Sequence, residues 1–469
     1  MSHRTLRHVS FAATCLVLPA GCGDDGGSTT SAGGTATGGS SATSGSTSAG
    51  TVGASSAGTS TSAGTAGGTS AGTSGGSGTT GGASATGGIK FDVGGGGTGP
   101  GGCEQKCGFS DWSYVWLANS GEHTISKINT RTMVEEGRFH TRPDNSGNPS
   151  RTSVSVDGKA VVVANRMGGV TKYWQREEFC QDKNNNNVID TSTGKNDVRP
   201  FDEEECIAWY TEFPEATTQR PVAWTPGTYN PETCEYENQQ VWTALGKGTG
   251  GTWPCTGSDG IWTYLLDGET GAIDAEIHMA DVTCGTTFGP YGGAVDSQGN
   301  LWMYIWSTGT IVHVDVQTLD YFTIAGGSYG ITVDTKGRVW VGDSARRYDP
   351  MTMTWSNPIN WPGGSGGTGI AQDLQGRIWT GTSGGVAWVD METMEWGATV
   401  PLPEGSGLYR GVGVDVDGYI WAVRLGGTTA HRIDPNTYDV TTYDGLNSPY
   451  TYSDFAGGQI NNVTCNPEG

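Results

Sequence analysis

Apolar and polar positions recur in one short pattern through the second half of the chain. The pattern is apolar-x-Asp-x-x-Gly-x-apolar-Trp, and its four clear copies are GAVDSQGNLW (293–302), ITVDTKGRVW (331–340), IAQDLQGRIW (370–379) and VGVDVDGYIW (412–421). Short apolar runs on both sides of a glycine-containing turn predict two antiparallel strands. The Asp residues lie 38, 39 and 42 residues apart. A strand-rich repeat of this length is typical of a β-propeller.

Each copy predicts one tight turn and one buried ring. Glycine in the turn adopts positive φ, and the Asp side chain bonds to its own backbone. The large ring at the end of the second strand, in Trp302, Trp340, Trp379 and Trp421, fills the wedge between neighbouring blades. A second pattern, Asp-x-x-Thr, follows after 15 to 19 residues, in VDVQT, YDPMT, VDMET and IDPNT. That spacing leaves room for one more strand and a turn before the outer strand of a blade.

Weaker copies raise the predicted number of blades to seven. YVWLANS (114–120), SVSVDGKAVVVANR (153–166) and VWTALGK (241–247) each begin one further blade. No first strand precedes YVWLANS, whereas the segment SPYTYSDFAGGQINNV (448–463) stands alone at the end of the chain. We expect it to supply that strand, so that the N- and C-terminal strands pair, close the ring and remove an exposed sheet edge. The predicted propeller covers residues 113–465.

The N-terminal part of the chain predicts export and a tether. A basic start and the apolar run FAATCLVLPAG indicate a signal peptide over residues 1–21. The end of this run resembles a bacterial lipobox, which implies lipidation of Cys22; simple secretion is the alternative. In lipoproteins, Gly23 after that cysteine is compatible with sorting to an outer membrane, facing the periplasm or the surface. Residues 22–88 are almost only Gly, Ser, Thr and Ala and predict a disordered tether. A Gly-rich, Cys-containing lead-in (89–112) follows.

Charge and cysteines restrict the partners and the compartment. The chain carries a formal net charge of −22, all of it after residue 88. This argues against nucleic acid as a partner and leaves the lipid anchor as the membrane contact. Eight cysteines besides Cys15 and Cys22 predict disulfides in an exported chain. We expect Cys180 to pair with Cys206, and Cys103 or Cys107 to pair with Cys465.

An insertion at 176–208 interrupts the second blade and contains a possible calcium loop. Hard oxygen ligands at alternate positions suit Ca²⁺. The predicted ligands, at positions 1, 3, 5, 7 and 9 of an EF-type loop, are Asp182, Asn184, Asn186, the carbonyl of Val188, and Asp190. Asn187 stands where Gly is usual and Thr193 where a bidentate Glu is expected. The alternatives are a structural Ca²⁺ and an Asn-rich loop without an ion.

Ligands of a propeller bind on its axis, where the loops before the innermost strands converge. The residues five before each repeat Asp therefore predict an axial set, which consists of Thr152 with the adjacent Arg151, Tyr291, Tyr329, Thr368 and Arg410. Arginine suits a carboxylate or a sugar acid. The alternative is that these side chains only plug the channel.

The segment GPYGGAVDSQGNLW resembles the repeats of virginiamycin B lyases and the broader NHL-like propellers. The resemblance implies a carbon–oxygen lyase that eliminates with Mg²⁺, using His and Glu around the metal. Tyr291 stands where these lyases have His. At the place where they have Glu, three residues after the Trp, this chain has Asn119, Asn165, Ile305, Asp343, Thr382 and Arg424. Asp343 is the one acidic residue among them and the one weak catalytic candidate; Asn119, Asn165 and Arg424 join the predicted axial set.

These observations favour a monomeric surface lipoprotein of the bacterial cell envelope, with the propeller as its binding or scaffolding part. The expected partner is a small molecule, a glycan or a surface protein. The alternative is a lyase-like enzyme with a remodelled site around Asp343, Arg410 and Arg424, and only that alternative requires Mg²⁺.

Overall fold

The computed structural model describes residues 111–248, 255, 259–285, 287–362 and 368–465. These residues all belong to one compact unit, Gly88–Gly469. The predicted signal peptide, Cys22, the tether and residues 89–110 of the lead-in lie outside the described residues. Within the described ranges, no helix has both the length and the apolar character needed to cross a bilayer.

The described residues form eight antiparallel sheets: one for each of the seven blades, and one additional two-stranded hairpin. Blades 1 to 3 and an additional hairpin (β10 and β11) contain β1 (Tyr114–Asn119), β2 (Thr124–Asn129), β3 (Val134–His140), β4 (Pro149–Val154), β5 (Ala160–Asn165), β6 (Val170–Trp174), β7 (Ile207–Thr211), β8 (Ala216–Thr217), β9 (Val222–Trp224), β10 (Thr228–Asn230), β11 (Glu235–Glu237), β12 (Gln240–Lys247), β13 (Ile261–Asp267) and β14 (Ile273–Met279). Blades 4 and 5 contain β15 (Pro290–Val295), β16 (Leu301–Ile305), β17 (Thr310–Val314), β18 (Tyr321–Ala325), β19 (Ile331–Val333), β20 (Val339–Val341), β21 (Arg346–Asp349) and β22 (Thr354–Trp355). Blades 6 and 7 contain β23 (Ile370–Gln372), β24 (Arg377–Thr382), β25 (Gly385–Asp390), β26 (Trp396–Pro401), β27 (Tyr409–Val414), β28 (Ile420–Arg424), β29 (Thr429–Ile433) and β30 (Val440–Asp444). The predicted seven-bladed, all-β propeller is confirmed.

The repeat Asp joins the turn between the first two strands to the buried ring at the end of the motif. In each of the four clear copies one carboxylate oxygen accepts two backbone N–H groups of the turn. The other accepts the indole N–H of the repeat Trp at 2.7–3.1 Å. The turn glycines have φ between 74° and 85°, where a side chain would be strained. The motif is therefore structural: the Asp side chain satisfies three donors that folding removes from water.

The tryptophan rings fill the propeller interior as expected. Trp340, Trp379 and Trp421 are fully buried, and Trp302 is nearly so. Trp116 and Trp242 are buried on the second strands of blades 1 and 3, so the weaker copies use the same packing. The Asp-x-x-Thr patterns form the turns before the outer strands, where an Asp oxygen accepts the Thr N–H.

The turn of blade 2 differs from the prediction that Asp157 is its repeat Asp. Ser155 occupies that place: its Oγ accepts the N–H of Ala160 at 3.0 Å, and its carbonyl accepts the N–H of Gly158. Counting five residues back from Asp157 therefore selected Thr152 in error, because the count started two residues late.

The C-terminal segment closes the ring along β1. Pro449 pairs with Asn119, the N–H of Tyr450 donates to the carbonyl of Ala118, and the N–H of Trp116 donates to that of Phe455. The prediction that the whole segment 448–463 is a strand is wrong beyond this point, because Gly458–Cys465 is a helix, α1. Asp454 accepts the N–H groups of Gln459 and Ile460 at the start of α1, which satisfies donors that a helix leaves unpaired.

Disulfides and insertions modify blades 2 and 3. The predicted Cys180–Cys206 disulfide is present and closes the insertion, which begins and ends with the 3₁₀ turns Glu177–Phe179 and Phe201–Glu203. A second disulfide joins Cys255 and Cys284. Cys234 and Cys465 are also disulfide-bonded; the predicted partners of Cys465, Cys103 and Cys107, lie outside the described residues.

Candidate functional site

Guanidinium and phenol groups converge on the axis, at the end of the blades where the first strands begin. We call this set the axial cluster: Arg151, Arg166, Arg220, Arg410, Tyr291, Tyr329, Tyr450 and Tyr452. The centroids of the Tyr291 and Tyr329 rings are 5.2 Å apart, and those of Tyr329 and Tyr452 are 5.5 Å apart. Blades 4, 5 and 1 contribute these rings, so the contacts cross the axis of the ring of blades. Together they close the channel at this depth.

Arg151 is the most deeply buried cation of the axial cluster. It is completely buried, and its guanidinium carbon lies 3.1 Å from the centre of the Tyr452 ring. Its Nε donates to the carbonyl of Tyr291 at 3.1 Å and its Nη1 donates to that of Ser150 at 3.0 Å. Its Nη2 has no hydrogen-bond partner among the described residues. A buried charged donor without an acceptor is costly, and the aromatic rings of Tyr291, Tyr450 and Tyr452 around the guanidinium offset part of that cost.

The Tyr450 hydroxyl is the polar centre of the cluster. It hydrogen-bonds to the hydroxyls of Tyr291 and Tyr329, the latter at 2.8 Å. Burial by itself favours the neutral phenol. The guanidinium groups of Arg151, Arg220 and Arg166 outweigh burial and lower the pKa of Tyr450 below its ordinary value. Burial raises the pKa of Tyr291 to about 12. The surroundings therefore favour negative charge at the position of the Tyr450 oxygen.

Arg166 shows that positive charge is in excess on the axis. Its guanidinium carbon lies 4.5 Å from the centre of the Tyr450 ring, and its Nη1 donates to Ser120 Oγ and to Asn148 Oδ1. Burial, together with repulsion from Arg220, lowers the pKa of Arg166 to about 9. An arginine shifted in this direction lies where an added anion would be stabilised.

The structure divides the predicted axial residues into two groups. Arg151, Tyr291, Tyr329 and Arg410 meet in the axial cluster. The others mainly support their own blades: Asn119 donates to Thr124 and Ser126, Asn165 to the carbonyl of Thr141, and Thr368 bonds to Thr380 and Gly381. Arg424 is half-buried, and its Nη2 donates to the carbonyl of Ser406 at 3.4 Å.

Asp343, the weak catalytic candidate, lies at the edge of the cluster. It is exposed and accepts the N–H of Tyr329 at 3.4 Å. The surrounding protein nevertheless raises the pKa of its carboxyl group by desolvation, against the opposing effect of Arg410. Arg410 is half-buried and lies 4.7 Å from the centre of the Tyr329 ring. These two residues give the axial cluster an accessible rim. Over the described part of the chain, no three His, Cys, Asp or Glu side chains are grouped as metal ligands.

Sequence reasoning missed Arg166, Arg220, Tyr450 and Tyr452. Arg220 precedes β9, which is the first strand of blade 3. The weak repeat in this blade did not reveal that strand. Tyr450 and Tyr452 belong to the closing segment. Counting five residues back from Asp454 in that segment gives Pro449, next to Tyr450, so the axial rule reaches only the neighbourhood of these tyrosines.

The predicted calcium ligands lie together in the insertion. The amides of Asn184 and Asn186 both donate to Asp190 Oδ2, at 2.8 and 2.7 Å. Asp182 Oδ2 accepts the N–H of Asn187, whose φ of 67° lies in the range usual for Gly at this position of the loop. The buried Glu205 accepts the N–H groups of Lys183, Asn184 and Asp190. Glu205 thus holds the loop from outside, while Thr193 bonds to Asp197. Calcium binding stays a prediction.

The fold and the axial cluster define a seven-bladed propeller with an arginine–tyrosine centre. No protein-family model matches the chain, and no curated protein does. Similar solved structures include a streptogramin B lyase (19% identity, 44% of this chain and 65% of that one, TM-score 0.36). Others are the dihydro-haem d1 dehydrogenase NirN (12%, 75% and 77%, 0.47) and an inactive virginiamycin B lyase from Staphylococcus aureus with quinupristin (14%, 63% and 84%, 0.43). The chain thus spans 65% of the first structure's length. The likeness concerns the propeller fold.

Proposed function

We propose that this propeller binds an anionic ligand, with a carboxylate or sugar-acid group, at the rim of the axial cluster. The observation that carries the proposal is the grouping of four arginines, Arg151, Arg166, Arg220 and Arg410, around one set of tyrosines, with Arg410 half-buried at its accessible edge. The buried guanidinium groups of Arg151 and Arg166 add positive charge near Tyr450. Guanidinium groups form strong, directional hydrogen bonds with carboxylates. Burial and mutual repulsion make such a grouping of cations costly, and a bound anion would offset that cost.

The accessible part of this site is its rim. Arg151 and Arg220 are buried, whereas Arg410 is half-buried. A ligand carboxylate would therefore meet Arg410 first. The packing of Tyr291 against Tyr329 closes the channel below, and it argues against a ligand that threads the axis.

The test measures binding of D-galacturonate and of neutral D-galactose to the full-length chain by calorimetry. We expect galacturonate to bind and Arg410→Gln to weaken that binding about 10- to 100-fold, since a hydrogen bond to a charged group contributes ~1.5–3 kcal/mol. Arg131→Gln is the matched control, because Arg131 is an exposed arginine paired with Asp417. Equal affinity for both sugars would contradict the proposal. Equal losses of galacturonate affinity in Arg410→Gln and Arg131→Gln would show that the binding site is not at the axis.

A lyase-like reaction is the second candidate, and the raised pKa of Asp343 is the observation in its favour. An acid with a raised pKa suits proton transfer. The His and Glu positions of the lyase repeats are occupied by Tyr291, Asn119 and Arg424, which favours binding over elimination. Incubation with quinupristin and Mg²⁺ tests this alternative: ring opening that Asp343→Asn abolishes would establish it.

We further propose that the propeller belongs to an envelope lipoprotein anchored through Cys22. The apolar run before Cys22 and the tether-like composition after it support this location. The disulfides Cys180–Cys206 and Cys255–Cys284 suit an oxidising compartment. Metabolic labelling with a fatty acid should mark the parent chain and fail to mark Cys22→Ser. Equal labelling of both would contradict the anchor.

A further inference from the structure

A cavity of about 440 Å³ lies between blades 2 and 3. Trp174 and Trp224 line it, and they are the last residues of β6 and β9. The axial cluster, in contrast, gathers where the first strands begin. The cavity is therefore at the other end of the strands and is separate from the axial site. Its volume falls within the ~300–1,000 Å³ of small-molecule sites.

Two additions to the ordinary four-stranded blade form walls of this cavity. Phe179 comes from the 3₁₀ turn Glu177–Phe179, at the start of the disulfide-closed insertion, and its ring centroid is 6.2 Å from that of Trp174. Tyr236 comes from β11, in the additional hairpin, where it packs on Tyr229 with centroids 5.3 Å apart. The two insertions thus bring aromatic rings to a cavity that the basic repeat does not provide.

Unsatisfied polar atoms belong to two of the lining side chains. Trp224 is 2% exposed, and its indole N–H has no hydrogen-bond acceptor within the described ranges. Gln239 Oε1 is buried as well and has no donor there. Buried donors and acceptors are normally paired, and each one left unpaired costs about 1–3 kcal/mol. Both atoms are shielded from solvent in this structure, so they add polarity to the wall of the cavity, and the exposed carboxylates of the lining are the groups that a ligand hydroxyl can reach.

The charged lining favours a neutral, hydroxyl-rich ligand. Lys172 is 1% exposed; its Nζ donates to the carbonyl of Gly268 at 2.8 Å and lies 4.0 Å from the centre of the Trp174 ring. This ammonium already occupies one aromatic face, which disfavours a second cation. The lining carboxylates outnumber the lysines, which disfavours an anion. The charged lining residues are Asp157, Glu235, Glu237, Glu269, Lys159 and Lys172.

We propose that this cavity binds a neutral saccharide. The rings of Trp174, Phe179 and Tyr236 offer apolar faces to the C–H side of a sugar ring. Its hydroxyls donate to the exposed carboxylates of Glu237 and Glu269 in the lining. The site is distinct from the axial site and does not depend on the proposed anion binding there.

The experiment titrates the full-length chain with D-glucose, D-galactose, D-mannose and N-acetyl-D-glucosamine, and follows saturation-transfer NMR and tryptophan fluorescence. At least one sugar should bind. Trp174→Ala should weaken that binding about tenfold or more, the scale of an anchoring aromatic side chain. Phe322→Ala is the control, because Phe322 is an exposed ring on β18 of blade 4. Glu237→Gln, an exposed change outside the core, should also weaken binding and covers the case in which Trp174→Ala does not fold.

Four results would overturn the proposal. The first is that none of the four sugars binds at millimolar concentration, and the second is that both Trp174→Ala and Glu237→Gln keep the parent affinity. The third is that tetramethylammonium binds in preference to the sugars. The fourth is that Arg410→Gln loses sugar binding while Trp174→Ala retains it. The last result would place the sugar at the axis. If a neutral sugar binds but galacturonate does not, the axial proposal fails and the proposal for this cavity is retained.

Discussion

Replacing Asp334 by Asn tests whether the repeat carboxylate stabilises the blade through its buried partners. Asp334 is fully buried; Oδ1 accepts the N–H groups of Lys336 and Arg338 at 2.9 Å. Oδ2 accepts the Trp340 indole N–H at 2.8 Å and the Arg338 Nε–H at 2.7 Å. Asn retains one oxygen that can accept the two turn N–H groups. Its N–H₂ group, however, would face the Trp340 indole N–H and the Arg338 Nε–H, which are both donors.

The expected loss combines two costs. The indole N–H is left without an acceptor, at about 1–3 kcal/mol, and the buried guanidinium loses its carboxylate, for which ~3–5 kcal/mol is typical. Arg338 keeps its second pair with Glu392 at 2.7 Å, which softens the second cost. We therefore expect a total loss of about 3–5 kcal/mol in the free energy of unfolding.

The matched control is Asp349→Asn in the same blade. Asp349 Oδ1 accepts the N–H groups of Met351 and Thr352 in an exposed turn, and Asn forms the same turn. We expect a change within about 0.5 kcal/mol there. The assay is urea unfolding at pH 7 followed by tryptophan fluorescence and circular dichroism. Equal losses in the two variants would refute the reasoning, as would a loss below about 1 kcal/mol in Asp334→Asn.

Two further predictions concern ions and protons. If the insertion binds Ca²⁺, the ion should protect the insertion from proteolysis, and Asp190→Asn should remove this protection. Asp144→Asn, in an exposed loop, is the control and should leave the protection unchanged. Identical digestion with Ca²⁺ and with a chelator would contradict the site. Burial raises the pKa of Asp415 and of Asp454 to about 6. The native state therefore binds protons more tightly than the unfolded state, and the stability from protonation, present at low pH, is lost as pH rises through about 6. Acidification from pH 7.5 to 5 should favour the native state by about 1.4 kcal/mol for each group. Asp415→Asn should reduce this gain in thermal unfolding, and an unchanged pH slope would contradict the assignment.

Much of the fold was predictable because the propeller repeat is local. An Asp, a Gly three residues later and a Trp six residues after the Asp specify one turn and the hydrogen bonds within it, so Asp296 to Trp302 can be recognised from the residues alone. The closing strand was predictable in part. Its pairing with β1 follows from the missing first strand, but helix α1 begins at Gly458 with Asp454 as its cap, and we expected a strand there.

The axial cluster was predictable only where the repeat was clear. Tyr291, Tyr329 and Arg410 precede recognisable copies and were found by counting. Arg220 and Tyr450 belong to blades whose first strands lack the motif, so counting did not reach them. In blade 2 the count began from Asp157 and gave Thr152; counting from Ser155 gives Ser150, and Arg151 lies between the two.

The sequence by itself determined the number of blades, the role of the repeat Asp and Trp, and the Cys180–Cys206 pair, because each depends on residues close together in the chain or on a regular interval. The tertiary structure alone decided which side chains share the axis. Tyr450 meets Arg151 and Tyr291 across residue separations of up to 299, through the closure of the ring. It also decided that Phe179 and Tyr236, from two unrelated insertions, line one cavity with Trp224. Such contacts depend on how whole blades are arranged around the axis, and no local pattern encodes that arrangement.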